Sequence, residues 1–231
     1  MKTIGILGGM SPQSTITYYR EINRLVNQTL GKNYSAPLLM VSVNFEDIVQ
    51  CQQSGNWEKA GKSLAEAAQK LEQIGAQGIV LSANTMHKVA QPIIDAVKVP
   101  FLHIVDASAT AIKAQHIDTI ALLGTRFVMQ DNFYRDALQE RGIQPIVPDE
   151  SAQQEIHRII FDELSVGKFL PQSKQFYLDT IAALEKQGAQ GVVLGCTEIG
   201  LLIQQADYPL PFFDTAELHA KMAADFVLET A

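Results

Sequence analysis

Two cysteines in 231 residues are too few for a disulfide framework. Their scarcity fits a reducing compartment, and a cytoplasmic location is the expectation. Basic residues are also short, 18 Lys and Arg against 25 Asp and Glu, for a net charge of −7. No basic run occurs, so the clustered cations that neutralise phosphates are missing and nucleic acid is excluded as a partner. No apolar stretch reaches the roughly 18–20 residues that cross a bilayer, so no membrane partner is expected. The opening MKTIGILGGM has one lysine and a short apolar run, but no signal-peptide cleavage pattern follows. Ile4 to Leu7 reads instead as a first buried strand. No group of His, Cys or acidic residues has metal-ligand spacing, so no metal is expected. A Walker pattern is absent, and Gly8-Gly9 lacks the third glycine of a dinucleotide fingerprint.

What the chain does have is a repeat of itself. Leu71 to Thr85 reads LEQIGAQGIVLSANT, and Leu184 to Glu198 reads LEKQGAQGVVLGCTE. The offset is 113 positions (184 less 71), and it sets Ala83 against Cys196. Met1 to Gly9 and Ile117 to Thr125 match in the same order, as do Tyr18-Tyr19-Arg20 and Phe133-Tyr134-Arg135. A period this long is no solenoid, whose repeats run roughly 20–50 residues. It implies duplication of a half. The two ends Ala83 and Cys196 then set a methyl group against a thiol.

The periodicity predicts strands at 2–7, 38–43, 78–81 and 99–104, and again at 119–123, 144–147, 191–194 and 212–213. Helices are predicted at 14–30, 57–74, 131–141, 172–187 and 217–229, with a helical hinge at 152–164. Gly75 stands where a C-cap glycine belongs. Strands alternating with helices argue for parallel sheets in an α/β fold. The expectation is two similar parallel-sheet α/β domains related by a pseudo-twofold, with an active site in the cleft between them. The first would be residues 1–104, completed by a C-terminal helix at 215–231. The second would be residues 105–214.

Ligands of such sheets bind at the carboxyl ends of the strands. Four strand ends carry polar tips: Gly8-Gly9-Met10-Ser11, Ala83-Asn84-Thr85, Gly124-Thr125-Arg126 and Gly195-Cys196-Thr197-Glu198. Cys196 leads into a helical run, Ile199 to Gln205, and a helix N-terminus favours an anion. That setting predicts a lowered thiol pKa and a thiolate able to act as nucleophile or base. The plainer reading is a small buried hydrophobe. Asn84, Thr85, Thr125 and Thr197 can hold a carboxylate with side-chain and backbone donors, or can serve as helix N-caps. Gly8-Gly9 lets backbone approach a ligand closely. His87 and His103 read as structural. Cys51 falls in a polar loop and reads as incidental, and Gln52 in that loop could reach a ligand as a lid residue.

These residues resemble the aspartate/glutamate racemase family, in its aspartate racemase branch. The resemblance is carried by GILGGMS at the N-terminus, ANTMH at 83–87, LLGT at 122–125 and GCTEI at 195–199, in order along essentially the whole chain. It implies a cofactor-independent amino-acid racemase in which two cysteines act on opposite faces of the α-carbon. Carried over, Cys196 is one acid/base, the one that acts on the L-isomer. Asn84, Thr85, Thr125 and Thr197 bind the substrate's amino and α-carboxylate groups, with Met10, Ser11, Gln52 and Glu198 along the site. A small amino acid or dicarboxylate is the implied partner, and homodimers are common in the family. Trp57 reads as an exposed aromatic suited to such a contact.

The chain departs from the family pattern at position 83, which is Ala where the pattern has Cys or, in an L-specific subset, Thr. It also lacks an arginine within 44–50 and a lysine at about 165, the pair that holds the distal carboxylate of aspartate. Lys168 and Arg126 are the nearby substitutes. Loss of one acid or base costs about 10²–10⁴-fold, so weak or one-sided racemisation is expected. Two other readings stand beside it. One is a lone-cysteine decarboxylase or isomerase of the same superfamily. The other is a degenerate protein that binds a small dicarboxylate.

Overall fold

The computed structural model describes residues 1–229. Eight strands form two four-stranded sheets, every pairing parallel. The first holds β1 (Ile4–Gly8), β2 (Leu38–Ser42), β3 (Gly78–Leu81) and β4 (Phe101–Leu102), in the order β2-β1-β3-β4. The second holds β5 (Thr119–Gly124), β6 (Gln144–Ile146), β7 (Val192–Gly195) and β8 (Phe212–Asp214), in the order β6-β5-β7-β8. The two orders are the same once the second set is renumbered, as duplication requires. The chain divides into two compact units. One is Met1–Ile104 together with the stretch from His219 onward, and the other is Val105–Leu218. The terminal helix expected to reach 231 runs from Thr215 to Leu228, and residues 230 and 231 lie outside the described residues.

In the first unit, Ile4, Ile6, Leu7, Ile79, Val80 and Leu81 are wholly buried. Buried on both faces, such strands read as continuous aliphatic runs. Helix α1 (Pro12–Leu30) starts at Ser11, whose hydroxyl accepts from Ser14 N, with Pro12 in the first turn where no N–H is needed. Helix α2 (Phe45–Ser54) buries Ile48, Cys51 and Gln52. Helix α3 (Trp57–Gln73) lays Ala60, Leu64, Ala67, Ala68 and Leu71 on the core at helical spacing. It ends at Gly75, whose φ of +107° suits glycine. Burying Leu64 or Leu71 is worth about 1.5–3 kcal/mol each. After β3 come a 3₁₀ turn (Thr85–Val89), α4 (Ala90–Ala96) and, beyond β4, α5 (Ile104–Ala114).

In the second unit, α7 (Asn132–Gln139) is the helix expected at 131–141, and a short α6 (Arg126–Gln130) precedes it. Asp131 is extended, with ψ of 149°, and separates them. Helix α8 (Glu150–Asp162) is no hinge: Ile156, Ile159 and Ile160 bury into the core of this unit. Helix α9 (Pro171–Glu185) buries Tyr177, Ile181 and Leu184. The single-turn α10 (Ile199–Leu202) and the long α11 (Thr215–Leu228) complete the elements. Two further readings need correction. Cys51 and Gln52 are buried residues of α2, not of a loop. Trp57 is half-buried against the core, with Lys88 Nζ 4.2 Å from its ring centroid, so it offers no free aromatic face. Among the described residues, no helix is long and apolar enough to cross a membrane.

Candidate active site

Each sheet gathers the polar tips at the carboxyl ends of its two central strands. In the first, β1 and β3 pair Leu7 with Leu81, and in the second, β5 and β7 pair Leu123 with Leu194. Ala83 and Cys196 each lie two residues beyond the β3 or β7 leucine, so the register supports the equivalence read from the repeat.

The first set is Met10, Ser11, Gln52, Ala83, Asn84 and Thr85, all buried. Met10 and Ala83 belong to one apolar cluster with Cys51 and Met86. Ser14 Oγ donates to Ser82 O at 3.0 Å and ties the start of α1 to the end of β3. Ser82 Oγ donates to Leu7 O at 3.1 Å. Gln52 Nε2 points at Met86 Sδ across 3.2 Å, which brings α2 to the turn after β3. The glycine pair approaches protein rather than leaving room for ligand. A Cβ at Gly9 would lie 2.2 Å from Val43 O, and one at Gly8 would lie 2.6 Å from Thr15 Cγ2. Gly9 also has φ of +93°, and its N–H donates to Thr15 Oγ1 at 2.8 Å. The capping role belongs to Ser11 and not to Asn84, whose side chain caps nothing.

His87 is fixed in a neutral state. Its Nε2 accepts from Ile104 N at 3.3 Å, so Nδ1 carries the proton and donates to Ala83 O at 2.8 Å. Burial above all, then His103 and His219, holds its pKa well below the ordinary value. Both nitrogens are occupied, which makes it a structural residue that anchors the backbone of residue 83.

The second set is Thr125, Cys196, Thr197 and Glu198, again buried. Gly124 pairs with Gly195, so Thr125 and Cys196 follow adjacent strand ends. Both glycines are required: a Cβ on Gly124 would lie 2.7 Å from Gly195 O, and one on Gly195 2.8 Å from Leu123 O. Thr125 caps α6, its Oγ1 accepting from Val128 N at 3.4 Å. Cys196 Sγ donates to Glu198 Oε2 at 3.0 Å, and Thr197 Oγ1 donates to the same oxygen at 2.7 Å. The thiol pKa is therefore not lowered. Burial first, then the Glu198 carboxylate, drives it well above its ordinary value. The expected helical run to Gln205 shrinks to one turn in α10, too short to supply a useful dipole.

Arg126 is exposed immediately after Thr125, while Lys168 is exposed past α8 at the end of a 3₁₀ turn. The sequence reading missed Asp214, which ends the last strand, and Tyr177 on α9. The signal for Asp214 was present: FLH at 101–103 and FFD at 212–214 occupy matching registers in β4 and β8. Among the described residues, no group of three or more His, Cys, Asp or Glu could hold a metal ion.

Comparison with known proteins agrees along the chain. Residues 7–223 match the family model described as Asp/Glu/Hydantoin racemase. The broad specificity amino-acid racemase RacX of Bacillus subtilis is 24% identical over 220 residues, covering 94% of this chain and 95% of RacX. A crystal structure of a candidate Asp/Glu racemase from Yersinia pestis is 46% identical. It superposes with a TM-score of 0.93, covering 99% of this chain and 100% of that one. An aspartate racemase homologue from Pyrococcus horikoshii is 36% identical with a TM-score of 0.87, at the same coverages. With its two four-stranded parallel sheets, the chain belongs to the Asp/Glu/hydantoin racemase family of isomerases.

Proposed function

We propose that this protein is a cofactor-independent amino-acid racemase whose exchange is weak or one-sided, with Cys196 moving the α-proton. The observation that carries this reading is the buried Cys196 thiol donating to the Glu198 carboxylate, while the equivalent position 83 bears only a methyl group. Glu198 takes the thiol proton, and the resulting thiolate accepts the α-proton of an L-amino acid. Reprotonation of the same face returns the L-isomer. The opposite face has no sulfur to serve it, and a missing general acid costs about 10²–10⁴-fold.

Thr125, Thr197, Ser11, Asn84 and Thr85 supply donors for the α-carboxylate and acceptors for the amino group. Met10 and Gln52 line the same strand ends. Aspartate and glutamate, or a wider set like that of the broad specificity racemase RacX, are the substrate classes. Arg126 is the cation best placed for a distal carboxylate, since it directly follows Thr125.

The test is α-proton exchange in D₂O, started separately from the L- and D-isomers. Exchange from L with little from D, lost in Cys196→Ser, supports the reading. Equal exchange from both isomers refutes it. A lone thiol also suits a decarboxylase that delivers one proton to one face, and the methyl group at position 83 favours that alternative. Release of CO₂ from a malonate derivative, without exchange from any amino acid, would establish it.

A further inference from the structure

The offset that matches Ala83 to Cys196 also matches His87 to Gly200, and the β3–β4 and β7–β8 registers match His103 to Asp214. In the first unit that pair is two imidazoles, with ring centroids 4.6 Å apart. In the second, the glycine opens a notch and a carboxyl fills it. A Cβ at Gly200 would lie 1.9 Å from Asp214 Oδ2. The unit with the inert methyl is backed by a neutral imidazole, and the unit with the thiol is backed by an acid.

Asp214 is held firmly at this place. It pairs with Leu194, and Thr215 Oγ1 donates to Leu194 O at 2.7 Å. Its Oδ1 accepts from Ala216 N at 2.9 Å and Glu217 N at 3.2 Å. The other oxygen lies against Gly200, where Asp214 joins Leu194, Ile203, Gln204 and Glu217 in lining a cavity of about 440 Å³. Paired strands lie roughly 4.8 Å apart and two residues rise roughly 6.6 Å, which puts the Cα atoms of Asp214 and Cys196 on the order of 8 Å apart.

We infer that Asp214 is a positioning residue that sets, through its own charge, how firmly Cys196 holds its proton. The groups that face it are Glu217 on α11, and Glu198 and Cys196 ahead of α10. All are acidic, so ionising Asp214 adds a negative charge to a site already short of cations. Burial, followed by Glu217, pushes the Asp214 carboxyl up to about 7, so its charge changes around neutrality. A sulfur that holds its proton firmly is the stronger base once it has lost it, and abstraction from a carbon acid needs a strong base. The inference rests on the proposed role of Cys196 as the acid/base.

The test uses Cys51→Ala, which leaves Cys196 as the single thiol of the chain. Thiolate formation is followed by ultraviolet absorbance against pH, as the difference from the same protein carrying Cys196→Ser. Asp214→Asn keeps an oxygen for the two backbone donors and removes the charge. It should shift the titration midpoint to lower pH. Gly200→Ala, which forces the carboxyl aside without removing it, should shift the titration in the same direction by less. An unmoved midpoint in both variants overturns the inference. Exchange in D₂O on the same proteins separates the two claims. A shifted midpoint with no exchange sinks the racemase reading alone, and exchange with an unmoved midpoint sinks this one alone.

Discussion

Cys196 Sγ and Glu198 Oε2 lie 3.0 Å apart, the thiol donating to a carboxylate that also receives the Thr197 hydroxyl. The pair is buried, and burial with the adjacent charge holds the thiol protonated well past its ordinary pKa. Glu198→Gln removes both the proton acceptor and the charge. It should lower the thiol pKa and still reduce α-proton exchange by about 10²–10⁴-fold, because no base remains to take the thiol proton. In the parent protein exchange should climb as pH rises above neutrality. A Glu198→Gln protein with undiminished exchange would remove Glu198 from the reaction.

The central strands were legible because parallel strands buried on both faces read as aliphatic runs, as in Ile79-Val80-Leu81 and Val192-Val193-Leu194. Helix α2 was not legible. It buries only Ile48, Cys51 and Gln52, and its glutamines and serine dilute the apolar signal. Helix α5 escaped for a different reason: between Ile104-Val105 and Ile112 its buried residues are small, Ala107, Ser108 and Ala109. The equivalence of positions 83 and 196 was legible through the repeat, whereas the state of the thiol was not. A strand-to-helix turn looks the same in sequence whether the following helix has one turn or three, and only the fold brings Asp214 beside Gly200.

His87 gives a prediction about stability. Its folded pKa is depressed below 6.5, so its contribution is present above that value and is lost as pH falls, when the unfolded chain takes up a proton the folded one refuses. Melting temperature should therefore drop as pH is lowered below about 6.5. His87→Gln should flatten part of that slope. The imidazole resonances of His87 should show no protonation near pH 6.5. Protonation there would make His87 a candidate acid or base.

Tyr177 is wholly buried, and its hydroxyl has no hydrogen-bond partner among the described residues. Leaving a buried hydroxyl unmade costs about 1–3 kcal/mol. Tyr177→Phe keeps the ring and removes the group, so denaturant unfolding should show unchanged or increased stability, by up to about 1 kcal/mol. A loss of more than about 1 kcal/mol would reveal a bonded partner for that oxygen.

Arg126 bears on substrate choice. It is exposed beside Thr125. Arg126→Gln should raise KM for aspartate and glutamate several-fold, and should leave KM for alanine, which has no distal carboxylate, unchanged. Equal effects on all three would mean that the guanidinium does not meet the side chain of the substrate.

Ala83→Cys tests the proposed role of position 83 by placing a thiol there. Ala83 is buried in an apolar cluster that includes Met10, Cys51 and Met86, so the added sulfur must find room there. Overpacking of that kind costs typically 1–3 kcal/mol, and His87, bonded to Ala83 O, opposes any backbone shift. A modest drop in melting temperature is therefore expected. Against it stands a gain in racemisation of about 10²–10⁴-fold, with exchange now appearing from the D-isomer as well. Polarimetry of L-aspartate reads the gain directly. A stably folded Ala83→Cys protein that exchanges no faster from D than its parent would show that position 83 has no access to the reacting carbon.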